Sequence, residues 1–301
     1  MKHSSPARGL IALLRLPYWM MTGGLAVLTA FAILKGNFAD IPTTLGNLNV
    51  AIVALLTFFS MSFIASGGFA INDYYDRQSD AVIKPKRPIP SGALSYKTAV
   101  VVSGVFFAIG LVMSFLISWL SFAIIAVDSL LLLIYSYMIK RKSGFAANLL
   151  IGILTGTAFL YGEATATGTV SLISLSLYPI AFGTIGGNVL RDIFSVEGDA
   201  KVGYPTLPQK IGNISAAKVG GVFFLLTGLL APLPYFIGNF TVYYLPLILL
   251  WSVLLVYSAI RLFTSAKTVA SIRKYERMVT MSMMLLPLAL IVEGIAGVLL
   301  F

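Results

Sequence analysis

The chain has 301 residues, of which 58% are hydrophobic and 11% are charged, and its formal net charge is +10. Because soluble domains carry about 25% charged residues, this composition excludes a soluble globular protein. The excess of Lys and Arg is better explained by loop orientation in a membrane than by nucleic acid, and the absence of cysteine excludes disulfides and thiolate metal sites.

Nine segments are apolar enough to cross a membrane, which takes about 20 residues for a hydrocarbon core about 30 Å thick. In chain order they are 15–35, 48–71, 97–116, 118–139, 145–164, 171–191, 215–236, 241–263 and 279–300. The first has a basic flank but no small-residue cleavage pattern, so we expect a retained helix. The sequence predicts an all-α polytopic membrane protein, with nine transmembrane helices around a central cavity in a single transmembrane domain over 1–301.

The basic residues predict the orientation of these helices. With the N-terminus in the cytoplasm, 20 of the 21 Lys and Arg residues fall on the cytoplasmic side, and only Lys35 lies opposite. Such sorting is what the positive-inside rule requires. The cytoplasmic connections are predicted at 72–96, 140–144, 192–214 and 264–278. Because 72–96 and 192–214 are the longest and carry most of the acids, the active site is expected on the cytoplasmic side of a multi-pass cell-membrane protein.

A cluster of polar residues, NDYYDRQSD at 72–80, follows the second predicted helix. Asn72, Asp76 and Asp80 are four residues apart and would stack on one helix face, with Asp73 about 100° away. Stacked carboxylates repel each other, and the cost rises near a membrane. A cation must neutralise them, and oxygen ligands of this kind suit Mg²⁺.

A second cluster, NVLRDIFSVEGDAKVGYPTLPQKIG at 188–212, follows the sixth predicted helix. Asp192 and Asp199 are seven residues apart and share a helix face, with Ser195 between them. Both clusters contain Asn, spaced acids and a Pro-containing loop that ends in Gly, which indicates a weak internal repeat. Facing each other, they would hold metal ions with a diphosphate between them. The alternative interpretation is a solvated helix end with ordinary surface charge.

Basic residues near the two clusters are candidates for binding phosphate oxygens. These candidates are Arg77, Lys84, Arg87, Lys140, Arg141 and Lys201. Arg87 stands in the proline-rich stretch KRPIPSG and is expected in a stiff loop. Membrane topology alone accounts for some of these cations. Two further acids, Asp128 and Glu293, interrupt apolar runs, and we interpret them as neutral or hydrogen-bonded structural residues.

NDYYDRQSD followed by KRPIPSG resembles the first signature of the UbiA superfamily of intramembrane prenyltransferases, N-D-x-x-D-x-x-x-D. RDIFSVEGDAKVGYPTLP resembles the second signature. Ser195 stands where that signature usually has Asp, so either Asp192 replaces it or one metal ion is held more weakly. Ile83 stands where the loop usually has Asn. The stretch R-D-I-x-x-x-E-G-D with T-L-P is most similar to the archaeal ether-lipid branch.

The resemblance implies transfer of a polyprenyl group from its diphosphate to an acceptor, with two Mg²⁺ ions that Mn²⁺ can replace. The expected metal ligands are Asn72, Asp76, Asp80, Asp192 and Asp199. Asp73 or Asp80 would take a proton from the acceptor. Tyr135 and Tyr137 would stabilise the allylic cation through their ring faces, or else belong to the interfacial aromatic belt. The expected catalytic set is therefore Asp73, Asp76, Asp80, Tyr135 and Tyr137.

The expected reaction is Mg²⁺-dependent transfer of a geranylgeranyl group to geranylgeranylglyceryl phosphate. An aromatic quinone precursor, of the 4-hydroxybenzoate or dihydroxynaphthoate type, is the alternative acceptor. A membrane transporter is the alternative from another class, but transporter sites lie near the membrane midplane. The expected partners are a polyprenyl diphosphate, a lipid or aromatic acceptor and membrane lipid, and not nucleic acid.

Overall fold

The computed structural model describes residues 6–37 and 39–300 of the chain. Within them, nine helical spans are long and apolar enough to cross a membrane, which confirms the predicted number and the all-α class. The spans are α1 (Ala7–Leu34), α2 (Val50–Tyr75), α3 (Tyr96–Ile117), α4 (Trp119–Lys142), α5 (Gly144–Thr167), α6 (Leu172–Lys201), α7 (Asn213–Phe236), α8 (Val242–Thr264) and α9 (Val269–Leu300). Two short helices, Arg77–Ile83 and Leu207–Ile211, lie in the connections after α2 and α6.

Several spans contain local interruptions, among them α1, α6 and α9. In α1 the chain turns after the segment Pro6–Leu14, where Arg15 adopts a left-handed φ of 51°. In α6 the stretch Tyr178–Ala181 is a 3₁₀ helix, as expected at Pro179, which has no N–H to donate. In α9 the helices Val269–Ser282 and Leu285–Leu300 are separated by two residues.

Small residues allow close approach between the spans, as is usual in membrane bundles. A Cβ atom on Gly23 of α1 would lie 2.1 Å from the Phe58 carbonyl oxygen of α2, so only glycine fits there. The main apolar core includes Phe159, Leu190 and Phe224, which belong to α5, α6 and α7. This packing fixes the relative positions of the helix ends that carry the two acidic clusters.

The buried intramembrane acids accept hydrogen bonds, as the structural interpretation of Asp128 and Glu293 requires. Glu293 accepts from the Thr241 backbone N–H at 2.8 Å and from the Thr241 hydroxyl at 2.7 Å, at the start of α8. Asp128 accepts from the Thr157 hydroxyl at 2.6 Å. A third such acid, Glu163, accepts from the backbone N–H groups and hydroxyls of Ser171 and Ser174.

Several predicted boundaries are wrong. The first span begins at Ala7 rather than at residue 15, and Asp73 and the acids at 192–201 belong to helices rather than to loops. Residues 269–278, expected in a connection, form the first part of α9. Hydropathy misses amphipathic ends, because their charged face lowers the average of the window. The connection after α1 contains a ribbon of β1 (Ile41–Thr43) and β2 (Gly46–Leu48), paired antiparallel with Ile41 opposite Leu48.

Candidate active site

The first acidic cluster keeps helical geometry beyond the end of α2. The Asp76 N–H donates to the Asn72 carbonyl and the Asp80 N–H to the Asp76 carbonyl, both at 2.8 Å. Asp73, Asp76 and Asp80 are only 3%, 3% and 5% exposed. Three buried carboxylates within about two helical turns require neighbouring cations or donors, and the structure supplies them from four other segments.

Arg87 connects two of these carboxylates. Its Nη1 atom lies 3.1 Å from Asp73 Oδ1 and 2.5 Å from Asp80 Oδ2. Burial by itself would lower the pKa of Arg87, but Asp73 and Asp80 outweigh it, so the pKa is raised and the guanidinium stays charged. The predicted stiffness of its loop agrees with the backbone bond from the Ser91 N–H to the Arg87 carbonyl at 2.9 Å.

Arg15 is a further partner that the sequence analysis missed. Its Nη2 atom donates to Asp73 Oδ1 at 2.6 Å, and its guanidinium carbon lies 4.5 Å from the centre of the Phe69 ring. The left-handed turn at Arg15 places this cation beside α2. The sequence did contain an indication of this role. Arg15 is a cation directly beside the apolar run of the first span, and charged residues at such positions are often functional.

Asp76 has the largest number of partners. Lys140, from the end of α4, forms an ion pair with Asp76 Oδ2, and Asn72 Nδ2 donates to the same oxygen at 2.9 Å. Tyr204 donates its hydroxyl to Asp76 Oδ1 at 2.6 Å. The side-chain oxygen of Asn72 is buried and has no hydrogen-bond partner within the described residues. The free amide oxygen of Asn72 and the carboxylate oxygens of Asp76 lie together, and oxygen ligands of this kind suit a hard cation.

Tyr204 links the two acidic clusters. Its backbone N–H donates to the Asp199 carbonyl oxygen at 2.9 Å, while its hydroxyl contacts Asp76 and lies 3.0 Å from the Ser79 hydroxyl. Burial, followed by the bond to Asp76, raises the pKa of Tyr204, so the phenol remains a donor at neutral pH. No helical spacing along the chain indicates this contact, because Tyr204 lies in a loop.

Asp192 and Asp199 of the second cluster accept hydrogen bonds from different donors. Asp192 accepts from Asn148 Nδ2 of α5 at 2.8 Å, and Asn148 was another residue missed by the sequence analysis although it is a lone amide in an apolar run. Asp199 accepts from the Ser195 hydroxyl at 2.6 Å. The serine at the usual Asp position therefore supports Asp199 as a hydrogen-bond donor.

The predicted basic residues do not all reach the carboxylates. Arg77 donates to the Tyr74 carbonyl and stacks over the Tyr74 ring. Arg141 donates to the Tyr75 carbonyl at 3.0 Å and lines a cavity of about 460 Å³ beside Tyr204. Lys201 is exposed and forms no ion pair among the described residues.

Lys84 lies in the field of this cluster although it is exposed. Local desolvation is the main cause that lowers the pKa of Lys84, and the nearby Arg87 lowers it further. Asp80 partly offsets both effects. The ammonium therefore loses its proton more readily than that of an ordinary surface lysine.

The two predicted tyrosines have different positions. Tyr135 lies within electrostatic range of Asp76 and Asp192, near the end of α4 that carries Lys140. Tyr137 is 64% exposed, and its ring packs against Tyr75 at 5.7 Å between centroids. The role expected of Tyr137 stays a prediction, and the structure places its ring beside the residue that precedes Asp76.

The chain matches the model of the UbiA prenyltransferase family over residues 26–286. It is 36% identical over 239 residues to a digeranylgeranylglyceryl phosphate synthase of Natronomonas pharaonis, covering 79% of this chain and 81% of that protein. It is 33% identical over 246 residues to the enzyme of the same name in Haloquadratum walsbyi, covering 80% of each chain.

Solved structures have the same fold. A structure described as digeranylgeranylglyceryl phosphate synthase in membranes superposes with a TM-score of 0.77 at 26% identity, covering 96% of this chain and 99% of that one. A UbiA homologue from Archaeoglobus fulgidus, bound to GPP and Mg²⁺, superposes with a TM-score of 0.65 at 18% identity, covering 96% of this chain and 99% of that one.

Proposed function

Because this chain belongs to the UbiA prenyltransferase family and is an intramembrane prenyltransferase, we propose that it transfers a geranylgeranyl group from its diphosphate to the free hydroxyl of geranylgeranylglyceryl phosphate. The acceptor is supported by the relatives that cover about four fifths of the chain and bear the name digeranylgeranylglyceryl phosphate synthase. The observation that carries the proposal is the meeting of both acidic clusters at Asp76 and Tyr204, with Lys140 beside them.

The oxygen donors of the two clusters fit Mg²⁺. The residues that would hold it are Asn72, Asp76, Asp80, Asp192 and Asp199. No group of three acids already has the spacing of a metal site within the described residues, since Asp76 and Asp80 are paired with Lys140 and Arg87. When water and phosphate complete the coordination shell of Mg²⁺, each ion needs only one or two carboxylate ligands. When bound, two Mg²⁺ ions, or Mn²⁺ in their place, would neutralise the diphosphate and make it a better leaving group.

The basic residues at the carboxylates bind the donor's diphosphate in this proposal. Lys140 and Arg87 are positioned by Asp76, Asp73 and Asp80, so their charges are in place before the substrate arrives. Preorganised cations stabilise charge that develops on a leaving group. Lys84 adds a further charge on the same side, and Arg141 is placed to contact the acceptor's phosphate from the neighbouring cavity.

The transfer breaks the bond between carbon 1 of the donor and the diphosphate oxygen, and the diphosphate leaves with the electron pair. The acceptor's hydroxyl oxygen forms the new ether bond to carbon 1 and gives its proton to Asp73 or Asp80. Both carboxylates are buried and held by Arg87. Tyr135 offers a ring face toward the developing cation, an interaction worth about 0.5–2 kcal/mol. Burial of the site within the bundle limits attack by water.

We further propose that the site faces the cytoplasm. The carboxylates lie at the end of the bundle where α2 and α6 end and α3 begins. Under the positive-inside rule the side that carries nearly all Lys and Arg residues is cytoplasmic. Labelling single introduced cysteines in intact cells, at position 210 against position 239, would test this orientation because the chain has no cysteine of its own.

The acceptor is tested with the purified full chain, labelled geranylgeranyl diphosphate and Mg²⁺. The acceptors compared are geranylgeranylglyceryl phosphate, 4-hydroxybenzoate and dihydroxynaphthoate. We expect an ether product with the glyceryl phosphate and none with the aromatic acids. Transfer to an aromatic acid alone would overturn the acceptor while leaving prenyl transfer intact.

A further inference from the structure

A groove of about 1040 Å³ lies between α8 and the first half of α9, and its lining contains no residue of either acidic cluster. Its floor and one end are apolar, and its other end is basic. Its lining includes Leu254, Arg273, Lys274, Arg277, Met281 and Leu285. None of them belongs to the site of the proposed reaction.

The length of α9 places the basic end of the groove in the headgroup layer. The span has 32 residues, which corresponds to about 48 Å of helix, whereas the hydrocarbon core is about 30 Å thick. The helix Leu285–Leu300 accounts for the part of α9 within the hydrocarbon core. Its outer surface is uncharged, because its acid, Glu293, is 0% exposed. The surplus turns of Val269–Ser282 therefore extend beyond the hydrocarbon.

The cations of the groove are unpaired. Arg273, Lys274 and Arg277 are exposed and form no ion pair among residues 6–37 and 39–300. The one acid of this helical segment, Glu276, does not line the groove and accepts from the Thr280 hydroxyl. Three positive charges thus face the headgroup layer without an internal counterion.

The rest of the groove suits an alkyl chain. Met281 is 80% exposed, and Leu254 and Leu285 continue the apolar lining toward the membrane interior. The order from the cytoplasmic end is cations, then methionine, then leucines. An amphiphile with an anionic head and a hydrocarbon tail has this same polarity along its length.

We propose that this groove binds one anionic phospholipid of the surrounding bilayer, with its phosphate against Arg273, Lys274 and Arg277 and one chain along Met281, Leu285 and Leu254. The bulk lipid is the occupant because the groove opens to the perimeter of the bundle. Arg273 also lies 4.4 Å over the ring of Phe194 in α6, so one of the cations that hold the head packs on the helix that carries Asp192 and Asp199. The inference is independent of the acceptor proposed above.

The test measures lipid binding to the full chain by native mass spectrometry after delipidation in neutral detergent. Phosphatidylglycerol, phosphatidylcholine and glycerol phosphate are titrated against the wild type and against the triple variant Arg273→Gln, Lys274→Gln, Arg277→Gln. A matched control removes three exposed cations elsewhere on the same side, Lys97→Gln, Lys210→Gln and Lys218→Gln. A single variant, Arg277→Gln, serves if the triple variant does not fold.

We expect one tightly held phosphatidylglycerol on the wild type and no matching phosphatidylcholine. Each membrane-surface cation contributes about fivefold in affinity, so the triple variant should bind about 100-fold more weakly and Arg277→Gln about fivefold. The control should stay within about twofold. Equal losses in both triple variants would show that only general surface charge matters and would overturn the proposal. Equal binding of phosphatidylcholine, or of glycerol phosphate without chains, would overturn it as well.

Discussion

The Tyr204 hydroxyl donates to Asp76 Oδ1 at 2.6 Å, while the Tyr204 backbone N–H donates to the Asp199 carbonyl at 2.9 Å. One residue thereby bonds to an acid of each cluster, although these acids are far apart in the sequence. The two clusters therefore lie at the same end of the bundle, as the diphosphate site requires. Tyr204 also stands above Lys140, whose ammonium lies 5.0 Å from the centre of the ring.

Tyr204→Phe should lower kcat by about 10-fold to 100-fold, because a hydrogen bond to a charged group contributes about 1.5–3 kcal/mol. The ring over Lys140 remains, so the fold should be unaffected. Steady-state transfer rates, measured with thermal unfolding, check this. Ser79→Ala removes the other contact of the same hydroxyl and is the matched control, expected to change kcat by less than about threefold. Wild-type kcat in Tyr204→Phe would show that the link has no catalytic role.

Asp76→Asn should abolish detectable prenyl transfer while the protein stays folded. The amide has the same shape but can no longer neutralise Lys140 or offer a charged oxygen to a metal ion. Glu276, a half-exposed acid of α9 outside the site, is the control when changed to Gln and should keep wild-type rates. Size-exclusion profiles of both variants verify folding. Full activity of Asp76→Asn would refute the proposed role of this carboxylate.

Arg87→Lys should lower kcat/KM by about 100-fold and the free energy of unfolding by about 1–3 kcal/mol. Lysine keeps the charge but lacks the guanidinium that lies between Asp73 and Asp80, so one buried carboxylate loses its partner. Rates and thermal unfolding in detergent measure the two effects. The exposed neighbour Lys86, changed to Gln, should alter neither. Wild-type kcat/KM and stability in Arg87→Lys would mean that a positive charge at position 87 is sufficient without the guanidinium group.

The fall of kcat/KM at alkaline pH, the alkaline limb of its pH profile, should depend on Lys84. Desolvation and Arg87 lower the pKa of Lys84 from 10.5, so its charge is present below the shifted pKa and is lost as pH rises through it. Diphosphate binding then weakens and kcat/KM falls. Lys84→Arg keeps its charge at these pH values and should move the limb to higher pH. If both proteins show the same limb, another group controls it.

Removing divalent ions should stop turnover. Excess chelator is expected to reduce transfer to background, and adding back Mg²⁺ or Mn²⁺ should restore it, because the carboxylates and Asn72 are oxygen donors suited to hard cations. Isothermal titration with Mg²⁺ and unreactive diphosphate analogue gives a readout apart from activity. The Asp76→Asn variant should show at least a tenfold weaker response. Turnover in excess chelator would contradict metal dependence.

Much of the fold followed from local chemistry. Apolar runs long enough for the membrane predicted all nine spans, and the spacing of Asn72, Asp73, Asp76 and Asp80 predicted an acidic site at the end of α2. Where the charge pattern was amphipathic rather than apolar, as at Val269–Ser282 in α9, hydropathy placed the boundary incorrectly. Asp80 follows Asn72 and Asp76 at helical spacing, but it also shares Arg87 with Asp73, a contact that this spacing does not indicate.

The sequence by itself determined that the chain spans a membrane, how often it does so and which helix ends carry its acids, because hydrophobicity, charge and helical spacing are properties of consecutive residues. Only the tertiary structure decided which cations and donors meet those acids. Arg15, Asn148 and Tyr204 reach Asp73, Asp192 and Asp76 from separate spans and loops. Such contacts depend on how helices pack and turn in three dimensions, which the spacing along one helix does not specify.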